Sequence, residues 1–254
     1  DSGVFEGGES SMYYVPMIAK LCTWASTRDA AIEEMRIALD RFEVEGIGHN
    51  IPFLSAVYDH AKIISGDKTT AFIEEAYPEG FAGVTPDEAT CRRIAAATAA
   101  MHRVAEIRRS RISGRLNNHE RQVGTDWVVS VGEHQFELAM TADREGADIA
   151  FADGESLRVT SAWTPGQPLA ELFVGGVPLV LKVQRKTNGY HVRHRGADMR
   201  VRVLTPRQAE LAALMPVKTP PDTSKMLLRP MPGLVVKIDV EEGDEVQEGQ
   251  ALCT

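Results

Sequence analysis

The stretch IAAATAAM, residues 94–101, constrains the fold of this chain more than any other feature. It lies inside a longer pattern typical of a helix, which opens with Thr85 as a predicted N-cap, Pro86 at the first helical position and Glu88 completing a capping box. Between residues 94 and 101 every side of this helix is apolar or small, and a helix without a polar face must be surrounded by protein. The alanines allow strands to approach closely, so we expect the helix to lie inside the fold.

Eight short strand patterns follow the helix from Asp126 onward, separated by turn signals. They are WVVSV, HQFELAMT, ADIAF, SLRVTSAW, PLAELFV, VPLVLKVQR, GYHVRHR and ADMRVRVL. The hairpin dipeptides between them are Asp153-Gly154, Gly175-Gly176 and Asn188-Gly189. Eight antiparallel strands in meander order remove their exposed edges by closing into a barrel, which side chains normally fill. We therefore predict an α+β fold in which an antiparallel eight-stranded β-barrel surrounds the long central helix, over residues 84–217.

Two of the strand patterns alternate clearly, and a last helix follows them. Leu157, Val159 and Ser161 would face one side of the fourth strand, and Met199, Val201 and Val203 one side of the eighth. The segment TPRQAELAALMP then predicts a closing helix with Thr205 as its N-cap.

Residues 1–83 have the mixed patterns of an α/β segment. The apolar run SMYYVPMIAKLCTWA is β-prone, and a helix begins after Thr27, its predicted N-cap, with Ile32, Met35 and Leu39 on one face. A second helix pattern extends to Gly66, and a third short one covers TTAFIEEAYPEGF. One sheet segment and three helices are too little for an independent α/β domain, so we expect this piece to be the end of a larger one.

Residues 226–254 have the pattern of two strands, and a Pro-rich linker at 218–225 precedes them. Leu234, Val236, Ile238 and Val240 alternate with charged residues and predict one buried face. No further strand pattern follows to pair with them, and the chain begins without a methionine. We therefore expect both ends to be cut from a longer chain, and the apolar face to become ordered only with further sequence or a neighbour.

Composition and charge exclude several classes of function. The net charge of −8 argues against nucleic acid as the main partner, and no apolar run is long enough to span a bilayer. The three cysteines lie far apart, so neither a zinc site nor a disulfide framework is expected. His191 and His194 fall on opposite faces of one strand, and no nucleophile–base set or phosphate-binding loop stands out. Composition and spacing therefore indicate no catalytic centre.

Basic residues crowd the C-terminal turns of the long helix, and a long polar connection, SGRLNNHERQVG, follows them. Two interpretations of the arginines stay open: they complement the helix dipole, or they form a docking patch for an acidic partner. The connection is long for a compact domain, and such loops are often functional. The candidate partner-binding residues are Arg108, Arg109, Arg111, Arg115, Asn117, Asn118, His119, Glu120 and Arg121.

Three groups of motifs resemble the biotin-dependent acyl-CoA carboxylases. RPMPGLVVKIDVEEGDEVQEGQALCT resembles the start of a biotinyl domain. GGESSMYYVPMIAKL, RDAAIEEMRIAL and EGIGHNIPFL resemble the last part of a biotin carboxylase domain of the ATP-grasp fold, with Val15 where the family has aspartate. TSAWTPGQPL, VRVLTPRQAEL and LRPMPGLVV are similar to the BT domain and its flank in the alpha subunits of propionyl-CoA carboxylases.

The resemblance implies a function for the intact family member. ATP and bicarbonate carboxylate biotin with Mg²⁺ or Mn²⁺, and a carboxyltransferase beta subunit passes the carboxyl group to propionyl-CoA, giving (S)-methylmalonyl-CoA. This segment would mainly hold the alpha and beta subunits together, in a bacterial cytoplasm or a mitochondrial matrix. Thr70 would lie near the adenine of ATP. The biotinylated lysine, the catalytic arginine and the metal-binding glutamates of the family match no residue here, so no bound cofactor is expected on this chain.

Two alternatives stay open at the level of sequence. The chain could belong to the alpha subunit of 3-methylcrotonyl-CoA carboxylase or another acyl-CoA carboxylase, because the beta subunit would set acyl-CoA selectivity. It could also be a small-molecule-binding barrel, since eight-stranded barrels can hold one small ligand. The alanine-rich helix argues against that alternative because it would fill the lumen.

Overall fold

The computed structural model describes residues 2–8, 17–114, 122–187, 189–216, 236–240, 243–246 and 250–252. The chain divides into two compact units, Asp1–Ala213 and Leu214–Thr254. The described helices of the first unit are α1 (Arg28–Arg41), α2 (Ile51–Asp59), α3 (Ala61–Ser65), α4 (Phe72–Ala76), α5 (Glu88–Ser110) and α6 (Pro206–Ala213). Its strands are β1 (Asp126–Val131), β2 (His134–Ala142), β3 (Ala147–Phe151), β4 (Ser156–Ser161), β5 (Leu169–Val174), β6 (Val177–Lys186), β7 (Gly189–His194) and β8 (Ala197–Leu204). Among the described residues, no helix combines the length and apolar character needed to cross a membrane.

The eight strands form the closed antiparallel barrel that the sequence predicts. Each strand pairs with the next along the chain, and β8 pairs with β1 to complete the ring. The alternation predicted for β8 is confirmed, because its buried and exposed residues alternate from Ala197 to Val203. In β4, Val159 is buried and Leu157 packs partly buried against the same core, as predicted, whereas Ser161 at the end of the strand is exposed.

Helix α5 runs through the barrel, as its lack of a polar face predicts. Residues 94–99 are 0% exposed and Met101 is 2% exposed. The hydroxyl of Thr98 donates to the carbonyl of Ile94 at 2.8 Å, so this buried polar group has a partner within the helix. The barrel interior is therefore a packed core, in which small helix side chains meet larger strand side chains.

The predicted N-terminal end of α5 is wrong by two residues. Asp87 is the N-cap, and its carboxylate accepts a hydrogen bond from the backbone N–H of Thr90 at 2.8 Å. Thr85 therefore does not cap the helix, and Glu88 is its first residue. A carboxylate is at least as good an N-cap acceptor as a hydroxyl, and it also interacts favourably with the helix dipole. The closing helix α6 does have its predicted cap, because the Thr205 hydroxyl and the Gln208 amide bond reciprocally to each other's backbone N–H.

The N-terminal helices follow the sequence prediction only in part. Thr27 caps α1, and Ile32, Met35 and Leu39 are buried on one face as predicted. The predicted second helix is two helices, because the backbone is extended at His60, whose ring accepts from the Lys62 N–H and caps α3. The predicted strand before α1 is wrong for residues 17–25, where only one isolated bridge occurs; its remaining residues, 11–16, lie outside the described residues.

The turn between β7 and β8 fastens the barrel to α1 and α2. Arg195 and Gly196 both have left-handed backbone conformations, with φ of 48° and 79°. A Cβ atom on Gly196 would lie 2.5 Å from the carbonyl oxygen of Pro52, in α2, so only glycine permits this approach. Asp40, at the C-terminal end of α1, accepts from the Arg195 backbone N–H at 2.9 Å and lies 3.0 Å from its Nε. We call these contacts the junction.

Lys182 of β6 adds a second connection at the junction. Its buried ammonium donates to the carbonyl oxygen of Leu39 at 2.9 Å. This carbonyl belongs to the last turn of α1, where carbonyl groups lack partners within the helix and where a positive charge is favourable. Burial lowers the pKa of Lys182, which the nearby Asp40 carboxylate partly offsets.

His194 is expected to make the junction sensitive to acid. Its Nδ1 lies 2.8 Å from the Val180 carbonyl oxygen and 3.6 Å from the Asp40 carboxylate, and burial lowers its pKa. Because the pKa of His194 is about 6.5 in the unfolded chain and lower in the folded one, its contribution to stability is present above pH 6.5 and is lost as pH falls through the folded value. The free energy of unfolding, measured with urea, should therefore decrease below about pH 6.5 more for wild type than for His194→Gln. Parallel pH profiles would contradict this.

In the second unit the described residues do not form the predicted buried face. Val236 is 77% and Ile238 68% exposed, Val240 is half-buried, and Leu234 lies outside the described residues. The backbone N–H of Asp239 donates to the carbonyl of Leu252 at 3.0 Å, which joins the stretches 236–240 and 250–252. The apolar face of a β-sandwich becomes buried only when further strands cover it, and the described stretches do not supply them.

Candidate partner interface at the barrel end

The two ends of α5 lie at opposite ends of the barrel. Near its N-terminal end, Arg92 pairs with Asp153 and Glu155 in the turn between β3 and β4. Near its C-terminal end, Arg108 donates to the carbonyl oxygen of Pro165, in the connection between β4 and β5, at 3.2 Å. We call this second end the exit rim; it consists of the connections 122–125, 143–146, 162–168 and 187, between which the last turns of α5 emerge.

Arg108, Arg109 and Arg111 are exposed on these last turns. Arg109 donates to the carboxylate of Glu106 at 2.9 Å, and Glu106 is itself only 3% exposed. Arg109 therefore has a structural role, since it neutralises a buried charge. Within the described part of the chain, no carboxylate lies within ion-pair distance of Arg108 or Arg111. Cations in these turns complement the helix dipole, and the docking interpretation of Arg108 and Arg111 stays a prediction.

A polar cluster at the exit rim was not predicted from the sequence. The Tyr190 hydroxyl lies 3.4 Å from His102 Nδ1, the His102 ring meets Trp127 edge-on at 5.1 Å, and His102 Nε2 lies 4.0 Å from the Glu106 carboxylate. Burial raises the pKa of Tyr190. The cluster borders a cavity of about 350 Å³. The spacing of His102, Glu106 and Arg109 on one helix face is the signal that could have identified it.

The remaining candidate residues do not gather into a catalytic site. Thr70 is exposed in the turn before α4. Six candidate residues lie outside the described residues, as does the Val15 position: Arg115, Asn117, Asn118, His119, Glu120 and Arg121. Among the described residues, no group of three His, Cys, Asp or Glu side chains could hold a metal ion. The placement of Thr70 near the adenine of ATP stays a prediction, and we derive no chemical step through ATP or biotin.

Two family models match this sequence. Residues 94–218 match the propionyl-coenzyme A carboxylase BT domain, and residues 1–75 match the biotin carboxylase C-terminal domain. The first range covers most of α5, the whole barrel and α6, and the second covers α1 to α3 and most of α4. These matches confirm the resemblance of both segments. For the biotinyl resemblance of residues 226–254, which neither range includes, the interpretation stays a prediction.

Curated relatives match over the whole chain. It is 69% identical over 254 residues to a propionyl-CoA carboxylase alpha chain of Ruegeria pomeroyi, and 35% identical over 261 residues to the mitochondrial propionyl-CoA carboxylase alpha chain of Mus musculus. These alignments cover 100% of this chain and 37% and 36% of the relatives, so the chain spans just over a third of their length. A methylcrotonoyl-CoA carboxylase alpha subunit of Mus musculus is 24% identical over 268 residues, covering 99% of this chain and 36% of that protein.

Proposed function

The chain belongs to the family of propionyl-CoA carboxylase alpha chains, and on this premise we propose that it takes part in the carboxylation of propionyl-CoA. In the proposed enzyme, ATP and bicarbonate carboxylate biotin, with Mg²⁺ or Mn²⁺ as the metal. A carboxyltransferase beta subunit then passes the carboxyl group to propionyl-CoA and yields (S)-methylmalonyl-CoA. The higher identity to propionyl-CoA carboxylase chains than to the methylcrotonoyl-CoA carboxylase subunit supports propionyl-CoA as the acceptor.

The role we propose for this segment is assembly with the beta subunit. One observation carries the proposal: α5 fills the barrel interior, while its last turns emerge at the exit rim with Arg108 and Arg111 exposed. Helix α5 occupies the centre of the barrel, which argues against a ligand-binding barrel. Residues 115–121, which continue from these turns, are part of the proposed contact surface.

The proposed division of labour follows the predicted domain boundaries. Residues 1–83 belong to the biotin carboxylase domain, residues 84–217 to the BT domain, 218–225 to a linker and 226–254 to the biotinyl domain. The two matched ranges, 1–75 and 94–218, support the first two of these boundaries. We place the protein in the cytoplasm if it is bacterial and in the mitochondrial matrix if it is eukaryotic.

Charge reversal at the exit rim should weaken assembly. Arg108→Glu with Arg111→Glu is expected to reduce co-purification with the beta subunit by at least tenfold, because like charges then face the acidic surface we propose. Arg109 is left unchanged, because it neutralises the buried Glu106 carboxylate and its loss would destabilise the fold. The measurement is pull-down of the beta subunit by the tagged chain at physiological salt.

The matched control reverses two arginines elsewhere on the barrel. Arg200 and Arg202 are exposed on the outer face of β8, so Arg200→Glu with Arg202→Glu changes the net charge equally. This control should co-purify with the beta subunit as wild type does. Equal retention by both double variants would count against the exit rim as the contact surface.

A further inference from the structure

A second cavity, which we call the rim pocket, opens at the exit rim beside α5. Its volume is about 160 Å³. Ala100 and Met101 of α5 form one side, and Ala142, Trp163 and Leu172 of the barrel form the other. The pocket is therefore apolar at its base, although it opens on a surface rich in charged side chains.

The first wall of the rim pocket is held in a fixed shape. In the connection between β2 and β3, the Asp143 carboxylate accepts from the backbone N–H of Glu145 at 2.8 Å and of Gly146 at 2.9 Å. Arg158 of β4 bridges Asp143 and Asp148 at 2.7 Å each. Gly146 lies so close to β4 that a Cβ atom on it would be 2.3 Å from the Val159 carbonyl oxygen. These contacts hold this wall against β4.

The second wall is equally constrained. The indole N–H of Trp163 donates to the carbonyl oxygen of Gln167 at 2.9 Å, and the Gln167 amide oxygen accepts from the Thr164 N–H at 2.9 Å. Arg108 ties α5 to the same connection through Pro165. Because both walls are fixed by hydrogen bonds, the rim pocket is preformed, and filling it would cost little conformational entropy.

The size and surroundings of the rim pocket define its occupant. An apolar cavity of roughly 150 Å³ accepts a benzene-sized group, so the pocket fits a single leucine, methionine or phenylalanine side chain. Val104, 43% exposed, extends the apolar surface along α5. Arg103 and Arg144 flank the opening of the pocket. Asp143 at the same edge is paired with Arg158. Among the described lining residues, Glu145 is then the one remaining negative charge.

We propose that the rim pocket receives one large apolar side chain of the beta subunit, with carboxylates of that subunit placed against Arg103 and Arg144. This inference rests on the proposed assembly function and names the chemistry of the partner surface. Anchor side chains that enter preformed pockets near the centre of an interface typically carry most of the binding energy. The occupant is therefore expected to be a hot spot of the interface, ringed by charge pairs.

The test fills the pocket from two sides without changing any charge. Ala142→Leu extends a side chain from β2, and Ala100→Leu extends one from α5. Ala150→Leu, on the exposed outer face of β3, adds the same atoms outside the pocket. Affinity of the whole chain for the beta subunit is measured by surface plasmon resonance, and the melting temperature of each variant is recorded. We expect both pocket variants to bind at least tenfold more weakly, and the control to bind within twofold of wild type.

A second measurement uses the unaltered fold. With 5-fluorotryptophan incorporated, the fluorine resonance of Trp163, assigned with Trp163→Phe, should shift when the beta subunit is added. This readout decides the question if a leucine variant fails to fold. The inference would be overturned if the wild-type chain bound the beta subunit without a shift of the Trp163 resonance. It would also be overturned if folded pocket variants bound with full affinity. In both cases the assembly function would stand. A wild-type chain that does not bind the beta subunit would instead refute the assembly function itself. A small molecule found by mass spectrometry, bound in the pocket and displaced by Ala142→Leu, would also overturn the inference.

Discussion

Replacing Ala97 with leucine is expected to lower the free energy of unfolding by about 1–3 kcal/mol, and by more if the barrel cannot expand. Ala97 is 0% exposed on α5, which contacts β1, β2, β4, β5 and β8. Three additional carbon atoms at this position have no space, because strands surround the helix on all sides. The barrel is closed by hydrogen bonds between β1 and β8, so it cannot open one edge to relieve the strain.

The matched control for this substitution lies on the same helix. Ala89 is exposed in the first turn of α5, and Ala89→Leu adds the same atoms to solvent. Its effect on unfolding should stay within about 0.5 kcal/mol, as for most surface substitutions. Urea denaturation followed by circular dichroism measures both variants. An equal, small effect at the two positions would mean that the helix does not fill a tightly packed lumen.

Replacing Asp40 with alanine should destabilise the chain by about 3 kcal/mol, at the low end of the range for breaking a buried ion pair. Asp40 is 6% exposed, whereas its partner Arg195 keeps a quarter of its side chain in solvent and can regain some hydration. Without the carboxylate, the backbone N–H of Arg195 loses its acceptor, and the buried ammonium of Lys182 loses its neighbouring negative charge. The junction between α1 and the barrel should therefore weaken before the barrel itself unfolds.

Two measurements separate this local effect from general instability. Urea denaturation gives the overall loss, and hydrogen exchange should show faster exchange in α1 than in β1 to β5. The control is Asp198→Ala, because Asp198 pairs with His191 on the exposed face of β7 and β8, and such surface pairs contribute at most about 1 kcal/mol. Unchanged exchange in α1 of the Asp40→Ala variant would show that the junction does not hold the helices to the barrel.

Much of the barrel could be predicted because its signals are local. All eight strand segments were located from alternation and turn dipeptides, and the IAAATAAM stretch required a surrounding sheet. The errors in the predicted helix ends arose where neighbouring residues compete to cap the same helix. Thr85 and Asp87 both suit an N-cap, and the backbone geometry at residue 87 selects the carboxylate. His60 divides one predicted helix into two because its own ring caps the second, a contact that a periodicity pattern does not contain.

The candidate site was predicted less completely. Its cationic turns are visible in sequence, because Arg108, Arg109 and Arg111 lie within four consecutive positions. The different roles of these arginines are not visible in the sequence, because the role of Arg109 depends on whether Glu106 is buried. The rim pocket depends on residues from α5, β2 and the connection after β4, which are distant in sequence and meet only when the barrel closes.

The amino-acid sequence therefore carries the fold class and the family, because strand alternation, turn residues and the unbroken apolar helix are properties of short segments. The junction and the rim pocket belong to the tertiary structure alone. The junction forms where the turn between β7 and β8 meets α1 and α2. The rim pocket forms where connections of the exit rim meet α5. The chemistry of the junction follows from burial, which lowers the pKa of Lys182 and of His194. The rim pocket follows from packing, which leaves an apolar opening between charged edges.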